Sequence, residues 1–205
     1  MMKKTSFRTR KSSLYDKNSL EPFKISRSKF FNFLSCERCF YLDRVKGLKE
    51  ISSPPYTLNN TVDELLKKEF DYYRKRKIPH PIMLKNKLNF IPYNNENLDA
   101  WRNSLTGGIA FHDEKTNLIL HGGIDDLWLD LDNKKIVVVD YKAQSSTYSV
   151  SASTYLDSEW RLSYKIQMDV YVFILRKMKF EVSDITYFYV CNAEKKRDKF
   201  DNKID

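Results

Sequence analysis

The stretch His121-Gly-Gly-Ile-Asp-Asp-Leu-Trp-Leu-Asp-Leu-Asp-Asn-Lys-Lys-Ile-Val-Val-Val-Asp-Tyr-Lys142 predicts a β-hairpin. Its second arm is rich in β-branched residues, which favour extended backbone. In the first arm, leucines alternate with Asp126, Trp128 and Asp130, as in a strand with one apolar face. The Asp-Asn-Lys segment between the arms has the residue types that a tight turn accepts. Acids and a lysine therefore gather at the open end of one hairpin.

The position of the turn decides which charged side chains meet. A two-residue loop at Asp132-Asn133 places Asp125 opposite Asp140, whereas a loop at Asn133-Lys134 places Asp125 opposite Lys142. In both registers Asp125, Asp140 and Lys142 share one face with an apolar strip, because side chains alternate with a period of two.

A three-residue loop is a further alternative, and it would bring Asp126 to Asp140 instead. Charges beside an apolar strip are costly unless they are paired or bound to metal. A salt bridge between the lysine and a carboxylate is one explanation of this group. The other is a hard divalent cation held by carboxylate oxygens, with the lysine beside it.

The composition indicates one folded domain with a basic surface. The chain has 205 residues and a formal net charge of +9, which is compatible with a polyanionic partner. No apolar run approaches the roughly 20 residues that span a bilayer, so no membrane association is expected. The first thirty residues lack a signal-peptide core, which predicts a cytoplasmic location.

The termini differ in composition from the middle of the chain. Residues 1–24 are basic and lack periodicity, which predicts a disordered arm, and residues 194–205 predict a charged, frayed tail. The folded domain is expected over residues 25–193. The three cysteines are an odd number and Cys36-x-x-Cys39 lacks a second pair, so free thiols are expected rather than a disulfide framework or a metal site.

Before the hairpin, periodicity predicts two helices. The first covers about residues 26–47 and begins at a serine cap. The second covers about residues 59–76, with Asp63 at the edge of its apolar stripe. Residues 77–100, rich in Pro and Asn, predict an irregular connection with at most a short helix after Asn97.

After the hairpin, the pattern predicts a loop, a helix and a strand. Residues 143–155 are rich in Ser and Thr and suit a loop. The helix covers about residues 159–179 and stacks Gln167 and Tyr171 on one face, because they lie four positions apart. The strand covers residues 182–193.

Three motifs then follow in order: Gly122-Gly123-Ile124-Asp125, Asp140-Tyr141-Lys142 and Gln167-x-x-x-Tyr171. Together they resemble the PD-(D/E)XK nuclease superfamily, and specifically its RecB-like branch, over about residues 25–193. Ser26-x-Ser28 through Tyr41 is similar to the N-terminal helix of that branch. The resemblance implies an α/β fold with a restriction-endonuclease-like core, in which helices flank a mixed central β-sheet and its catalytic hairpin.

The resemblance also implies a metal site for Mg²⁺, or Mn²⁺. Asp125 and Asp140 would hold the ion together with the Tyr141 carbonyl. The branch often has a histidine ligand on the preceding helix, and Asp63 stands in the matching place, where an oxygen suits Mg²⁺ well. An iron-sulfur cluster is not supported, because Cys36 has no C-terminal cysteine triplet to join it.

The implied activity is hydrolysis of DNA phosphodiester bonds, by an exonuclease or a single-strand-directed nuclease. Lys142 would orient the attacking water or stabilise developing negative charge. Gln167 and Tyr171 would orient the centre or the strand, and Arg161 and Lys165 would contact phosphates. A second hypothesis is a catalytically inert module that binds nucleic acid or docks in a larger repair or CRISPR-type complex.

Overall fold

The computed structural model describes residues 8–49, 56–147 and 150–196. They form two compact units, whereas the sequence predicts a single core. The first unit contains residues up to 55 together with 110–122. The second contains residues 56–109 together with those from 123 onward. The described helices are too short or too polar to cross a membrane.

In chain order, the helices are α1 (Arg27–Ser35), α2 (Glu37–Arg44), α3 (Thr57–Arg76), α4 (Pro81–Lys85), α5 (Leu98–Arg102) and α6 (Leu162–Lys177). The strands are β1 (Phe23–Ser26), β2 (Phe90–Pro92), β3 (Ile109–Asp113), β4 (Leu118–Gly122), β5 (Asp126–Asp130), β6 (Ile136–Ser146) and β7 (Tyr187–Glu194). Short 3-10 helices cover Lys11–Ser13 and Glu159–Arg161.

The first unit is built on a three-stranded sheet with the order β1-β4-β3, in which β1 and β4 are parallel. The Ser26 side chain accepts a hydrogen bond from the Lys29 amide and so caps α1, as predicted. The predicted single helix is divided in two, because Cys36 has extended backbone between α1 and α2.

The prediction of a disordered arm over residues 1–24 is wrong for residues 8–24. The Thr9 amide donates to the Gly47 carbonyl at 2.9 Å, and the Tyr15 amide donates to the Arg44 carbonyl at 2.7 Å. The Tyr15 ring also packs edge-on against Phe23, with 5.3 Å between centroids. These are contacts to residues distant in the chain, which leave no periodic signal. Residues 1–7 lie outside the described ranges.

The cysteines also differ in part from the prediction. Cys36 and Cys39 are joined as a disulfide at the start of α2, so the expectation of free thiols is wrong for this pair. Cys191 is a buried free thiol in β7, and burial raises its pKa.

The second unit contains a four-stranded mixed sheet with the order β2-β5-β6-β7. Strands β5 and β6 are antiparallel, and β6 and β7 are parallel. On one face of the sheet, Leu66 and Phe70 of α3 pack against Trp128, Val139 and Tyr141. Helix α6 contacts β6 from the other face. The predicted α/β architecture, with a hairpin in a mixed sheet between helices, is confirmed.

The hairpin register matches the first of the predicted alternatives. Asp126 pairs with Val139 and Leu129 with Ile136, and continuing this register by one residue brings Asp125 opposite Asp140. The turn itself is wider than two residues, because the last backbone bond joins the Asp130 amide to the Lys135 carbonyl. The Asp130 carboxylate accepts from backbone amides inside this turn and closes it.

Other segments depart from the predicted boundaries. The Pro- and Asn-rich connection contains α4 and β2, which the sequence did not predict, and α5 is the short helix allowed after Asn97. β6 extends to Ser146, into the predicted loop, of which residues 148–149 are not described. Of the predicted frayed tail, Glu194 belongs to β7 and the Lys195 amide donates to the Ser146 carbonyl at 2.9 Å. Residues 197–205 lie outside the described ranges.

Candidate active site

Asp140 and Lys142 lie on the same face of β6, two residues apart, as the alternation of side chains requires. Asp140 is buried, and its Oδ2 forms an ion pair with the Lys142 ammonium. Gln167 of α6 contacts both groups. Its amide nitrogen donates to Asp140 Oδ1, and its Oε1 accepts from Lys142 Nζ at 3.4 Å. One helix side chain therefore sets the orientation of the acid and the lysine together.

Gln167 is positioned by its own helix. Tyr171 lies one turn later on α6, and its hydroxyl accepts a hydrogen bond from Gln167 Nε2 at 3.3 Å. Both side chains are buried. The structure therefore brings together Asp140, Lys142, Gln167 and Tyr171, the residues of the second and third motifs.

Asp125 precedes β5 and faces Asp140 across the open end of the hairpin. Its Oδ2 accepts a hydrogen bond from the Tyr141 amide at 2.9 Å, which ties it to the strand that carries the acid and the lysine. Burial, and then the negative charge of Asp140, raise the pKa of Asp125 to about 7. A like charge nearby therefore favours a proton or a cation at the Asp125 carboxylate.

Asp63 joins this group through a lysine that the sequence reasoning missed. Lys67 Nζ donates to Asp63 Oδ2 at 2.6 Å, and it lies 3.8 Å from Asp125 Oδ1. Burial and the charge of Asp125 raise the pKa of Asp63. The signal for Lys67 was its position four residues after Asp63, which places both on one side of α3.

The donor chemistry of the three carboxylates fits a hard divalent cation such as Mg²⁺, which prefers oxygen ligands. Asp63 Oδ1 is buried and accepts no hydrogen bond from the described residues. Asp140 Oδ2 is also buried, and its partner is the Lys142 ammonium. Within those residues, no three His, Cys, Asp or Glu side chains are clustered closely enough to hold a metal ion. In this arrangement Lys67 and Lys142 offset two of the three carboxylate charges.

A second charged network lies on the other face of the hairpin, where the predicted register placed Asp126. Asp126 is fully buried, and its carboxylate forms ion pairs with Arg74 and Arg102. The Tyr141 hydroxyl donates to Asp126 Oδ2 at 2.7 Å. Asp71 completes the network, at 3.0 Å from Arg74 Nε and 2.9 Å from Arg102 Nη1. Two acids and two arginines therefore balance one another.

This network, defined by Asp71, Arg74, Arg102 and Asp126, supports the site from behind. Arg102 Nε donates to the Asp125 carbonyl at 3.0 Å, so it fixes the backbone that carries Asp125. Burial, and then the charge of Asp126, raise the pKa of the Tyr141 hydroxyl well above its ordinary value. The sequence reasoning missed both arginines, because isolated charges on helices give no sign of burial.

The two predicted phosphate contacts are placed differently. Arg161 donates to the Tyr155 carbonyl, and its guanidinium lies 3.8 Å from the Tyr155 ring centroid and 4.4 Å from that of Trp160. Lys165 is exposed on α6. Arg161 is therefore fixed among aromatic rings, and a role in DNA binding stays a prediction for both residues.

The site can be compared with known families. The model of the PD-(D/E)XK nuclease superfamily matches residues 24–204, a range that includes every residue of the acid and lysine group. The chain belongs to the PD-(D/E)XK nuclease superfamily. Asp140-Tyr141-Lys142 supplies the D-X-K element for which this nuclease superfamily is named. Comparisons with curated proteins and with solved structures gave no match.

Proposed function

We propose that the protein is an active, metal-dependent nuclease of the RecB-like branch that hydrolyses phosphodiester bonds in DNA, as an exonuclease or a single-strand-directed nuclease. The observation that carries the proposal is the contact of Gln167 with both Asp140 and Lys142, beside Asp125. A buried structural salt bridge also needs hydrogen bonds to its remaining polar atoms, so a reactive site is favoured because a second carboxylate with a raised pKa, Asp125, lies beside the same group.

Each residue of the group has a proposed role in the reaction. Gln167 holds one oxygen of Asp140 and leaves the other directed toward Lys142. The Lys142 ammonium would orient the attacking water or stabilise negative charge that develops on a phosphate oxygen. Tyr171 keeps Gln167 in place through its hydroxyl.

Asp125, Asp140 and Asp63 would hold Mg²⁺ or Mn²⁺, with the Tyr141 carbonyl as a further ligand. When bound, the ion would neutralise charge on the scissile phosphate and lower the pKa of water. Lys67, paired with Asp63 and close to Asp125, would release these carboxylates to the ion.

The inert binding module remains the competing hypothesis. An inert descendant would have no need to keep Asp125, Asp140 and Lys142 together, so their joint presence favours an enzyme. The same proposal places the protein in the cytoplasm, where it would act on DNA alone or within a repair or CRISPR-type complex.

Cleavage of single-stranded and double-stranded DNA by the purified protein, with Mg²⁺ or Mn²⁺, tests the proposal. Lys142→Ala should lose about 100-fold or more of the activity, as expected when a charge-stabilising group is removed. Lys68→Ala is the matched control, because the Lys68 side chain is exposed on α3. This variant should cleave DNA at the same rate as the parent. Equal cleavage by Lys142→Ala and the parent would overturn the assignment.

Metal binding supplies an independent check. Calorimetric titration of the parent with Mn²⁺ should show binding that Asp140→Asn removes or strongly weakens, while circular dichroism shows an unchanged fold. A protein that binds DNA but shows neither cleavage nor this Mn²⁺ site would be an inert module.

A further inference from the structure

Trp160 is exposed to a degree unusual for the largest aromatic side chain. It is 62% exposed, whereas the other two tryptophans, Trp101 and Trp128, are 7% and 3% exposed. It lies in the 3-10 helix that leads into α6, the helix that carries Gln167. A single exposed hydrophobic side chain needs no explanation by itself, so the rings next to Trp160 decide whether this surface can bind a ligand.

Aromatic rings connect Trp160 to Lys142. The Trp160 ring packs edge-on against Tyr164, with 6.0 Å between centroids, and Tyr164 lies 5.9 Å from Phe188. Lys142 Nζ is 4.5 Å from the Tyr164 centroid and 5.8 Å from that of Phe188. We call Trp160, Tyr164 and Phe188 the aromatic platform. One ring therefore separates the exposed indole from the proposed catalytic ammonium.

The aromatic platform continues into a groove and carries positive charge. Phe188 and Tyr155 line a groove of about 600 Å³ along β7. The Arg161 guanidinium contacts both the Tyr155 and the Trp160 rings. Aromatic faces beside cations are the combination with which proteins bind single-stranded nucleic acid, because each nucleotide offers a flat base and a negative phosphate.

We propose that the aromatic platform stacks an unpaired base of a DNA strand, chiefly on Trp160, next to the phosphate held at Lys142. This inference rests on the proposed function, since it takes a DNA strand as the substrate of the site. A base in a duplex has both faces covered by its neighbours, so it cannot stack on the indole without leaving the helix. The aromatic platform therefore gives the enzyme a preference for single strands or for frayed ends.

Binding measured without divalent metal separates this proposal from catalysis. The probes are a labelled single-stranded oligothymidine, a duplex of the same length, and a single strand of abasic residues that keeps the phosphates but lacks the bases. Fluorescence anisotropy reports the affinity, and quenching of tryptophan emission reports stacking on the exposed indole. The parent should bind oligothymidine most tightly, and only oligothymidine should quench its emission.

The variants test the role of the indole itself. Trp160→Ala should weaken oligothymidine binding by about 5-fold or more, the effect expected when one stacking ring is removed. Trp160→Phe should restore most of the affinity and lose the quenching. Tyr72→Ala is the matched control, because Tyr72 is 51% exposed and has Arg76 3.5 Å over its ring, yet it is outside the aromatic platform. This control should bind like the parent.

The proposal that the aromatic platform stacks a base would be overturned by either of two results. One is equal binding of oligothymidine and the abasic strand, and the other is an unchanged affinity of Trp160→Ala for oligothymidine. If the parent also cleaves DNA, the proposed function stands and only the aromatic platform fails. If binding depends on Trp160 but the parent cleaves no DNA with Mg²⁺ or Mn²⁺, the aromatic platform stands and the proposed catalytic function fails.

Discussion

Replacement of Asp126 by asparagine should destabilise the protein strongly, although Asp126 is outside the proposed catalytic group. Its buried carboxylate neutralises Arg74 and Arg102 and accepts a hydrogen bond from the Tyr141 hydroxyl. Asn has nearly the same shape and can still accept from the hydroxyl, but it carries no charge. Asp71, whose side chain is partly exposed, would then face two buried guanidinium groups alone.

The expected cost follows from this loss of charge balance. Breaking a buried ion pair by removing one partner costs about 3 to 5 kcal/mol, because the remaining charge is left uncompensated. This is a large part of the roughly 5 to 15 kcal/mol that stabilises a typical domain. For a domain of this size it lowers the melting temperature by about 6 to 20 °C.

Thermal and urea unfolding, followed by circular dichroism, measure the effect. Asp99→Asn is the matched control, because Asp99 also pairs with Arg102, at 3.7 Å, but its side chain is 96% exposed. Exposed pairs contribute little, so this variant should unfold like the parent. The double variant Arg102→Met with Asp126→Asn should lose less unfolding free energy than the two single variants lose together, since fewer charges are left unpaired.

Equal unfolding temperatures for Asp126→Asn and Asp99→Asn would refute the reasoning. A double variant whose loss of unfolding free energy equals the sum of the losses of Asp126→Asn and Arg102→Met would also refute it, because the two groups would then not interact. Either result would mean that the network behind the hairpin does not hold the site in place.

Three further outcomes are expected. Gln167→Leu, which removes both contacts to the acid and the lysine, should lower kcat by about 10- to 100-fold, and it should also lower the melting temperature, because the buried Asp140 carboxylate loses a hydrogen bond. Thermal unfolding and DNA cleavage at a temperature where the variant is folded measure the two effects; an unchanged kcat would argue against a positioning role. Because the folded-state pKa of Asp125 is about 7 and the unfolded one is about 4, the metal-free fold binds a proton that the unfolded chain has lost, so its stability should fall as pH rises from about 4 to 7. Urea unfolding across this range should show a smaller fall for Asp125→Asn, and an equal fall would contradict the shift. Lys67→Met should bind Mn²⁺ more tightly in calorimetry, because the ammonium no longer competes for Asp125, whereas Lys68→Met should match the parent.

Much of the hairpin could be predicted from its residues because strand geometry is local. Alternation with a period of two separates Asp125 from Asp126 whatever else the chain does. The turn type, and hence the register, was open between alternatives, because the residues between the arms suit more than one loop. The wider turn closed by the Asp130 carboxylate decided the register, through contacts that no two-residue turn pattern describes.

The N-terminal residues show where local patterns end. Residues 8–24 have the composition of a solvated arm, and backbone hydrogen bonds from Thr9, Tyr15 and Phe23 tie them to residues more than twenty positions away. Such contacts depend on the path of the chain, and neither composition nor periodicity encodes them. The same limit applies to Lys67 and Arg102, which look like ordinary surface charges in sequence and lie beside carboxylates in the fold.

The sequence by itself determined the acid and lysine on one strand and the stacked Gln167 and Tyr171 on a helix, because each of these depends only on strand or helix period. It left open whether Asp125 or Asp126 faces Asp140 across the hairpin. Tertiary structure decided what surrounds them. It brought Gln167 onto Asp140, set Lys67 between two carboxylates, buried Asp126 between arginines, and left the Trp160 indole exposed beside the site. These placements arise from packing between distant elements, where burial and charge pairing are determined by neighbours that lie far apart along the chain.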